Sequence, residues 1–358
     1  MQIDGVLALI VIIGGGVIGL SLGFRLLSMG VKITVLEQAC IGCGASWAAA
    51  GYLEPTLAET ATAELEWQSL NMWQGFVDEV EEISGQDVDY QTRGQLKIAY
   101  GENEAAIKDE LAERKRLGWQ CELLSGEELR KLEPSLSEEI VCAAHLPQVS
   151  WVDGRKLCKA LVTAIKSLGG EVIENTSVKR VIVKNNMAIG VETPTGEIYA
   201  DKLVVAAGYQ TDLICDLPQD LPKSYGQKGI ILTLEAPDKT QFLRHLVKRP
   251  DGILCPRNDG RILVGVTRQD DNLSTDAEPD QVEKLLQSGV RTMPQLAGFP
   301  LVEAIVGFRP FVRETKNSII GESSIAQNLY YSLGHGSDGY LRAPYYSTKL
   351  ADQILGKA

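Results

Sequence analysis

The stretch "GVLALIVIIGGGVIGLSLGF" (Gly5–Phe24) contains no charged residue. Its length alone suits a membrane span, which takes about 18 or more apolar residues. Three consecutive glycines at its centre argue against one continuous helix, because each costs roughly 1 kcal/mol relative to alanine in a helix interior. A strand–turn–helix reading fits better. Val6–Ile13 is aliphatic and rich in β-branched side chains, as in a strand buried on both faces. Gly14-Gly15-Gly16 is then a turn, and Val17–Met29 a helix ended by Gly30.

This parsing places G-x-G-x-x-G on Gly14, Gly16 and Gly19, between a strand and a helix. The first glycine permits a tight turn, the second lets a diphosphate reach the backbone, and the third lets helix and strand pack closely. Val17 and Ile18 open the helix, whose unpaired N–H groups and positive end favour phosphates. A second strand, Val31–Glu37, ends in an acid at the position where a carboxylate grips the adenosine ribose. Glu37 would repel a 2′-phosphate, which favours FAD or NAD over NADP. No basic region precedes the apolar run, so no signal peptide is expected.

The chain has 358 residues, more than one ordinary core accommodates, so two domains are expected. Apolar content of 44% and charged content of 23% are those of a globular protein. A net charge of −12 argues against a nucleic-acid partner. Seven cysteines without a secretory signal fit a reducing cytoplasm rather than a disulfide framework. Cys40 and Cys43 form a C-x-x-C that reads as a redox pair, half a zinc site or, preferably, two thiols in a loop. The three histidines (His145, His245, His335) lack ligand spacing, so no metal is expected.

Helices are expected over Thr56–Ile83, Glu102–Leu117, Gly154–Leu168, Pro279–Ser288 and the C-terminus. A capping box is expected at Ser125 with Glu128. The apolar strand Lys202–Ala207 meets Gly208 and reads as a return to the first sheet, whereas the strands after residue 223 read as a second, antiparallel-type sheet. The fold class is α/β (α+β).

In "VIIGGGVIGLSLGFRLLSMGVKITVLE", "GASWAAAGYLEP", "VVAAG", "CPRNDGRILVGVT", "GFRP" and "LGHGSDG", taken in this order, the chain resembles the D-amino acid oxidase-like flavoproteins. It is similar in particular to the glycine/sarcosine oxidases, which include the glycine oxidase of thiamine biosynthesis. The resemblance implies a Rossmann-like FAD-binding domain (residues 1–85, 148–222 and 315–358) and a substrate domain with a mixed or antiparallel sheet (86–147 and 223–314). It implies FAD contacts from Gly14, Gly16, Val17, Ile18 and Gly19 at the diphosphate, and from Glu37 and Gln38 at the ribose. Ala45, Ser46, Ala49, Ala50 and Gly51 are expected along the ribityl chain and ring, and Val178 at the adenine. Ala207 and Gly208 are expected beneath the cofactor, and His335, Gly336, Ser337, Asp338, Gly339 and Tyr340 at the flavin pyrimidine edge. A helix starting near Gly339 would aim its positive end at the flavin N1/O2 region. Arg309 in "VGFRP" matches the arginine that holds the substrate carboxylate bidentately.

Three departures reshape the pocket. Ser337 stands where similar glycine oxidases have a second arginine. Ile253 replaces a tyrosine that helps hold the carboxylate. Arg268 occupies a position that is usually uncharged and faces the substrate. Arg268 has two candidate roles: replacing the missing cation, or contacting a second acidic group of the substrate. The local sequence of covalent flavin attachment is absent, and Cys255 lies in a different context, so FAD is expected to be dissociable.

The resemblance implies oxidation of a small amino acid or secondary amine, such as glycine, sarcosine or a D-amino acid. Hydride would pass from Cα to flavin N5, and water would hydrolyse the imine. O2 is the expected acceptor, releasing H2O2. A dehydrogenase serving a quinone or carrier stays open, as does a non-catalytic flavin subunit or a homo-oligomer. An NAD-dependent dehydrogenase is disfavoured because no catalytic dyad accompanies the glycine motif.

Overall fold

The computed structural model describes residues 2–3, 6–270, 272–313, 315 and 317–357. Gly5, where the decisive stretch begins, lies outside them, as do residues 1, 314 and 358 at the ends of the expected domain segments.

The apolar run forms a strand, a glycine turn and the helix Val17–Ser28, and no described helix is long and apolar enough to cross a membrane. The expected strand Val6–Ile13 is in fact two. Val6–Leu7 pairs antiparallel with Gln2–Ile3, and only Leu9–Ile13 enters the main sheet. That sheet has six strands in the order Glu171–Ile173, Lys32–Leu36, Leu9–Ile13, Lys202–Val205, Leu329–Leu333, Ile319–Glu322. All neighbours are parallel except the last pair. Parallel strands need covering on both faces. One face packs on Val17–Ser28, Ala61–Ser84, Gly154–Ser167 and Gly339–Ile354 through Leu20, Phe24, Trp73, Leu161 and Leu341. The other packs on the three-stranded sheet Arg180–Lys184, Met187–Thr193, Gly196–Tyr199 through Val181, Val191 and Leu203.

A second sheet has eight strands, running from Leu301–Val312 through Ser224–Glu235, Arg261–Gly265, Gly252–Pro256 and Leu246–Arg249 to Gln95–Ala99, Cys142–Leu146 and Glu122–Ser125. Its pairs are antiparallel apart from Leu246–Arg249 on Gln95–Ala99. Ile230, Leu232, Leu254 and Val264 seal it against the helix Pro279–Thr292. Chemistry-bearing strands therefore come from both halves of the sequence.

Three helix boundaries differ from the sequence reading. The first long helix begins at Ala61, because the Thr60 hydroxyl accepts from Ala63 N at 3.2 Å and caps it, while Glu66 accepts from Thr56 N. A 3₁₀ turn, Gly101–Asn103, precedes Glu104–Arg116. The helix from Pro279 continues past Ser288 to Thr292, whose hydroxyl donates to Ser288 O at 3.0 Å. The Ser125–Glu128 capping box is present in both directions.

Candidate active site

The glycine turn is held by sterics that differ at each position. Gly14 has φ +113°, and a Cβ there would stand 2.4 Å from Ala206 O. A Cβ on Gly19 would stand 2.1 Å from Gly14 O. Both glycines are therefore required by the fold itself. Gly16 is not: its φ is −80°, and its Cβ would meet only Ser46 Oγ at 3.2 Å. The glycine there leaves an open approach to the helix start.

The first intrahelical bond runs from Leu20 N to Gly16 O at 3.0 Å, so the amides before it have no partner within the helix. The Val17 amide donates to Ser46 Oγ at 2.9 Å. Glu37 accepts from Gly15 N at 2.8 Å and Ala39 N at 3.0 Å, and each carboxylate oxygen retains a lone pair for a hydroxyl donor. Gln38 donates to Gln210 at 2.5 Å. An open glycine, an amide-rich helix end and a carboxylate beside them fit the diphosphate and ribose of a dinucleotide.

A cavity of about 800 Å³ lies between the loops of the six-stranded sheet and one face of the eight-stranded sheet. Ala45, Ala49, Ala50 and Gly51 line it from one side, Ile253, Arg268 and Arg309 from the other, and Gly336, Ser337, Asp338 and Tyr340 from the final turn. The two sides meet closely, since a Cβ on Gly307 would stand 2.3 Å from Ala48 Cβ. Gly51, at φ +69°, has no room for a Cβ either, with Val152 O at 1.9 Å.

Arg309 is half-buried, on a strand that pairs with Ser224–Glu235. Its Nη1 donates to Lys228 O at 3.4 Å and to Gln227 Oε1 at 3.5 Å, and its Nη2 to Thr267 O at 3.2 Å. None of these partners is a carboxylate. Burial, and then the like charge of Arg268, hold the guanidinium at about 10. Arg268 is exposed at the cavity's open side. Ile253 is buried and Ser337 exposed.

The turn is fixed from behind. Gly336 N donates to Pro310 O at 2.8 Å, and the helix Gly339–Ile354 then starts at the cavity. Tyr340 OH donates to Ser46 O at 2.8 Å, tying the last helix to the loop that caps the first. Asp338 pairs with Arg342 at 3.2 Å, and burial raises its carboxyl above the usual range. His335 does not line the cavity. It is buried, its Nε2 is 2.9 Å from Ser332 Oγ and its Nδ1 has no partner. Burial, and then Arg342, push its imidazole down to about 3. Ala207 and Val178 pack in the core beneath the six-stranded sheet, and Gly208 (φ +63°) follows the strand end.

One wall escaped the sequence reading. Tyr52, Glu54, Lys97, Glu110, Arg114 and Lys248 also line the cavity. Lys97 and Lys248 are register partners on adjacent strands, a repulsive arrangement. Glu110 pairs with Lys97, and Glu54 pairs with Lys248 and with Arg114 at 2.6 Å. Burial works to raise the Glu54 carboxyl, but the two cations outweigh it and hold it low. Four separate segments supply these charges, so no local pattern announces them. The C-x-x-C thiols are exposed and free, and Cys40 is pushed to about 11 by its hydrogen bond to Cys43. Among the described residues no cluster could hold a metal.

A model of the family described as FAD dependent oxidoreductase matches residues 10–353. The chain belongs to that family. It is similar to the bifunctional protein ThiO/ThiG of Trichormus variabilis, at 30% identity over 97% of the chain and 52% of that protein. It is also 25% identical to glycine oxidase of Bacillus subtilis, over 97% of the chain and 93% of that enzyme. The crystal structure of glycine oxidase from Bacillus cereus superposes with a TM-score of 0.93 at 27% identity, covering 98% of this chain and 96% of that one. The chain thus spans about half the length of the bifunctional relatives and nearly all of the glycine oxidases. As an FAD-dependent oxidoreductase, it has the expected fold class and the expected cofactor.

Proposed function

We propose that this FAD-dependent oxidoreductase oxidises the C–N bond of a small amino acid or secondary amine. The observation that carries this reading is Arg309: a half-buried guanidinium, held by carbonyls and facing a cavity that also receives the start of the last helix. An arginine without a carboxylate partner in such a site is set to receive one from a ligand. The glycine oxidase activity named for two relatives agrees with it.

We assign the diphosphate of FAD to Gly14, Gly16, Val17, Ile18 and Gly19, its ribose to Glu37 and Gln38, and its adenine end to Val178. Ala45, Ser46, Ala49, Ala50 and Gly51 would flank the remainder, with Ala207 and Gly208 beneath and the turn from Gly336 to Tyr340 at the far edge. When bound, FAD supplies the two-electron acceptor for the substrate's Cα–H bond. The protein's part is positioning. Arg309 fixes the carboxylate, Ile253 and Val266 supply the apolar part of that wall, and no histidine lies among the described residues lining the cavity. The amine must be neutral to react, and released imine hydrolyses in water. Positioning of this kind supplies several kcal/mol without a catalytic base.

We further assign the FAD-binding unit to residues 1–85, 148–222 and 315–358, and the substrate unit to 86–147 and 223–314. O2 is proposed as acceptor, with H2O2 released, in a cytoplasm that keeps the seven free thiols reduced. The test is anaerobic titration of the yellow holoprotein with glycine, sarcosine and D- and L-amino acids. Bleaching by at least one supports the reading, and a ten- to hundredfold loss of kcat/KM in Arg309→Lys places the carboxylate. A flavin that no amine bleaches overturns it.

A further inference from the structure

The charges around the cavity do not balance, although the chain as a whole carries −12. Lys97, Lys248 and Arg114 are matched by two carboxylates, Glu54 and Glu110. Asp251 lies 3.6 Å from Arg249; Asp338 lies 3.2 Å from Arg342, which also pairs with Glu66, and its charge acts on Arg309 and Arg268 without reaching ion-pair distance of either. Arg309 and Arg268 have no carboxylate within ion-pair distance among the described residues.

These two arginines are neighbours by construction. The strand Ser224–Glu235 is flanked by the strand bearing Arg309 and by the segment 267–269, where Lys228 bridges Gln269. Arg309 Nη2 donates to the carbonyl of Thr267, the residue preceding Arg268. Two like charges, one half-buried and one exposed, thus face the same cavity, an arrangement that is unfavourable unless an anion bridges them. One monocarboxylate on Arg309 neutralises only half of it.

We infer that the preferred substrate is an amine bearing two acidic groups, one carboxylate on Arg309 and the second acid on Arg268. This rests on the amine-oxidation reading above and narrows its substrate class to amino or imino dicarboxylates. Arg268 is then a specificity residue. It contributes nothing to C–H cleavage but sets which acids enter, through a charge-assisted hydrogen bond at the cavity's open side.

The test uses the FAD-loaded protein and needs no turnover. Binding of non-oxidisable acids is read from perturbation of the flavin absorption, comparing succinate and glutarate with propionate and butyrate. Dicarboxylates should bind at least tenfold tighter than monocarboxylates of similar length. In Arg268→Gln that ratio should fall at least about tenfold, toward one. In parallel, aspartate enantiomers and iminodiacetate are compared with glycine and sarcosine in anaerobic bleaching, which separates α-amino from imino diacids. Equal binding of mono- and dicarboxylates by the unmutated protein overturns the inference by itself, whether or not the variant folds. If monocarboxylate amines bleach the flavin without any diacid preference, only this inference falls. If no carboxylate binds at all, the role of Arg309 falls with it.

Discussion

The guanidinium of Arg309 lies flat against Gly229: a Cβ on that glycine would stand 2.7 Å from Nη1 and 2.8 Å from Nη2. The glycine is what lets the arginine run along its neighbouring strand into the cavity. The obstructed atoms are the far end of a long side chain, so Gly229→Ala should fold normally while displacing the guanidinium. Misplacement near 1 Å costs on the order of 10²-fold in rate. The expected result is an unchanged Tm with kcat/KM down about ten- to hundredfold, and unaltered kcat/KM would show that Arg309 works from another position.

The glycine motif separates into fold and ligand requirements. Gly16→Ala meets only Ser46 Oγ, so the apoprotein should melt close to the unmutated Tm while FAD affinity drops at least about tenfold. Gly14→Ala combines a left-handed backbone with a contact of 2.4 Å to Ala206 O, and should destabilise the apoprotein by at least about 1–3 kcal/mol. Apoprotein melting and flavin titration distinguish the two outcomes.

Arg309 should govern the alkaline limb of the pH profile. Only the protonated guanidinium holds a carboxylate, and in the free enzyme it is held at about 10 by burial and by Arg268. kcat/KM should therefore rise as the substrate amine loses its proton and fall as pH passes 10. kcat should not show that fall, because a bound carboxylate keeps the guanidinium charged. Arg268→Gln removes the like charge and should move the limb to higher pH.

His335 should leave the activity profile untouched and mark the stability profile instead. Its imidazole, near 6.5 when unperturbed, is at about 3 in the fold. As pH falls, the unfolded chain takes up the proton first, so this residue's contribution is complete above about 6.5 and erodes toward 3. Tm between pH 6.5 and 4 should decline less steeply in His335→Gln, which keeps a polar partner for Ser332. An equal slope in both proteins would assign the acid sensitivity to other groups.

Much of the fold was legible because its signals are local. Gly14 and Gly16 sit between an aliphatic run and a mostly apolar helix that contains Gly19, and Ser125 with Glu128 announces its own helix start. Arg309 and the turn ending in Tyr340 were legible through family resemblance, which carries residues that spacing cannot. The Glu54–Lys248–Arg114–Glu110–Lys97 wall was not legible, because Lys97 and Lys248 meet only through strand pairing between segments distant in sequence. The helix starts at Ala61 rather than Thr56 for a smaller reason: the Thr60 hydroxyl caps it at Ala63 N, while the Thr56 amide is taken by Glu66 from the helix's second turn.

Ser46 offers its hydroxyl to the amide of Val17 and its carbonyl to the hydroxyl of Tyr340. The strand Leu329–Leu333, which precedes Tyr340, also completes the interior of the first sheet beside Lys202–Val205. The opening βαβ segment carries the glycine turn but not the Tyr340 hydroxyl that steadies it through Ser46. A chain stopped near position 330 is therefore expected to lose its grip on FAD with Gly14, Gly16 and Gly19 all in place, which flavin content after purification would show.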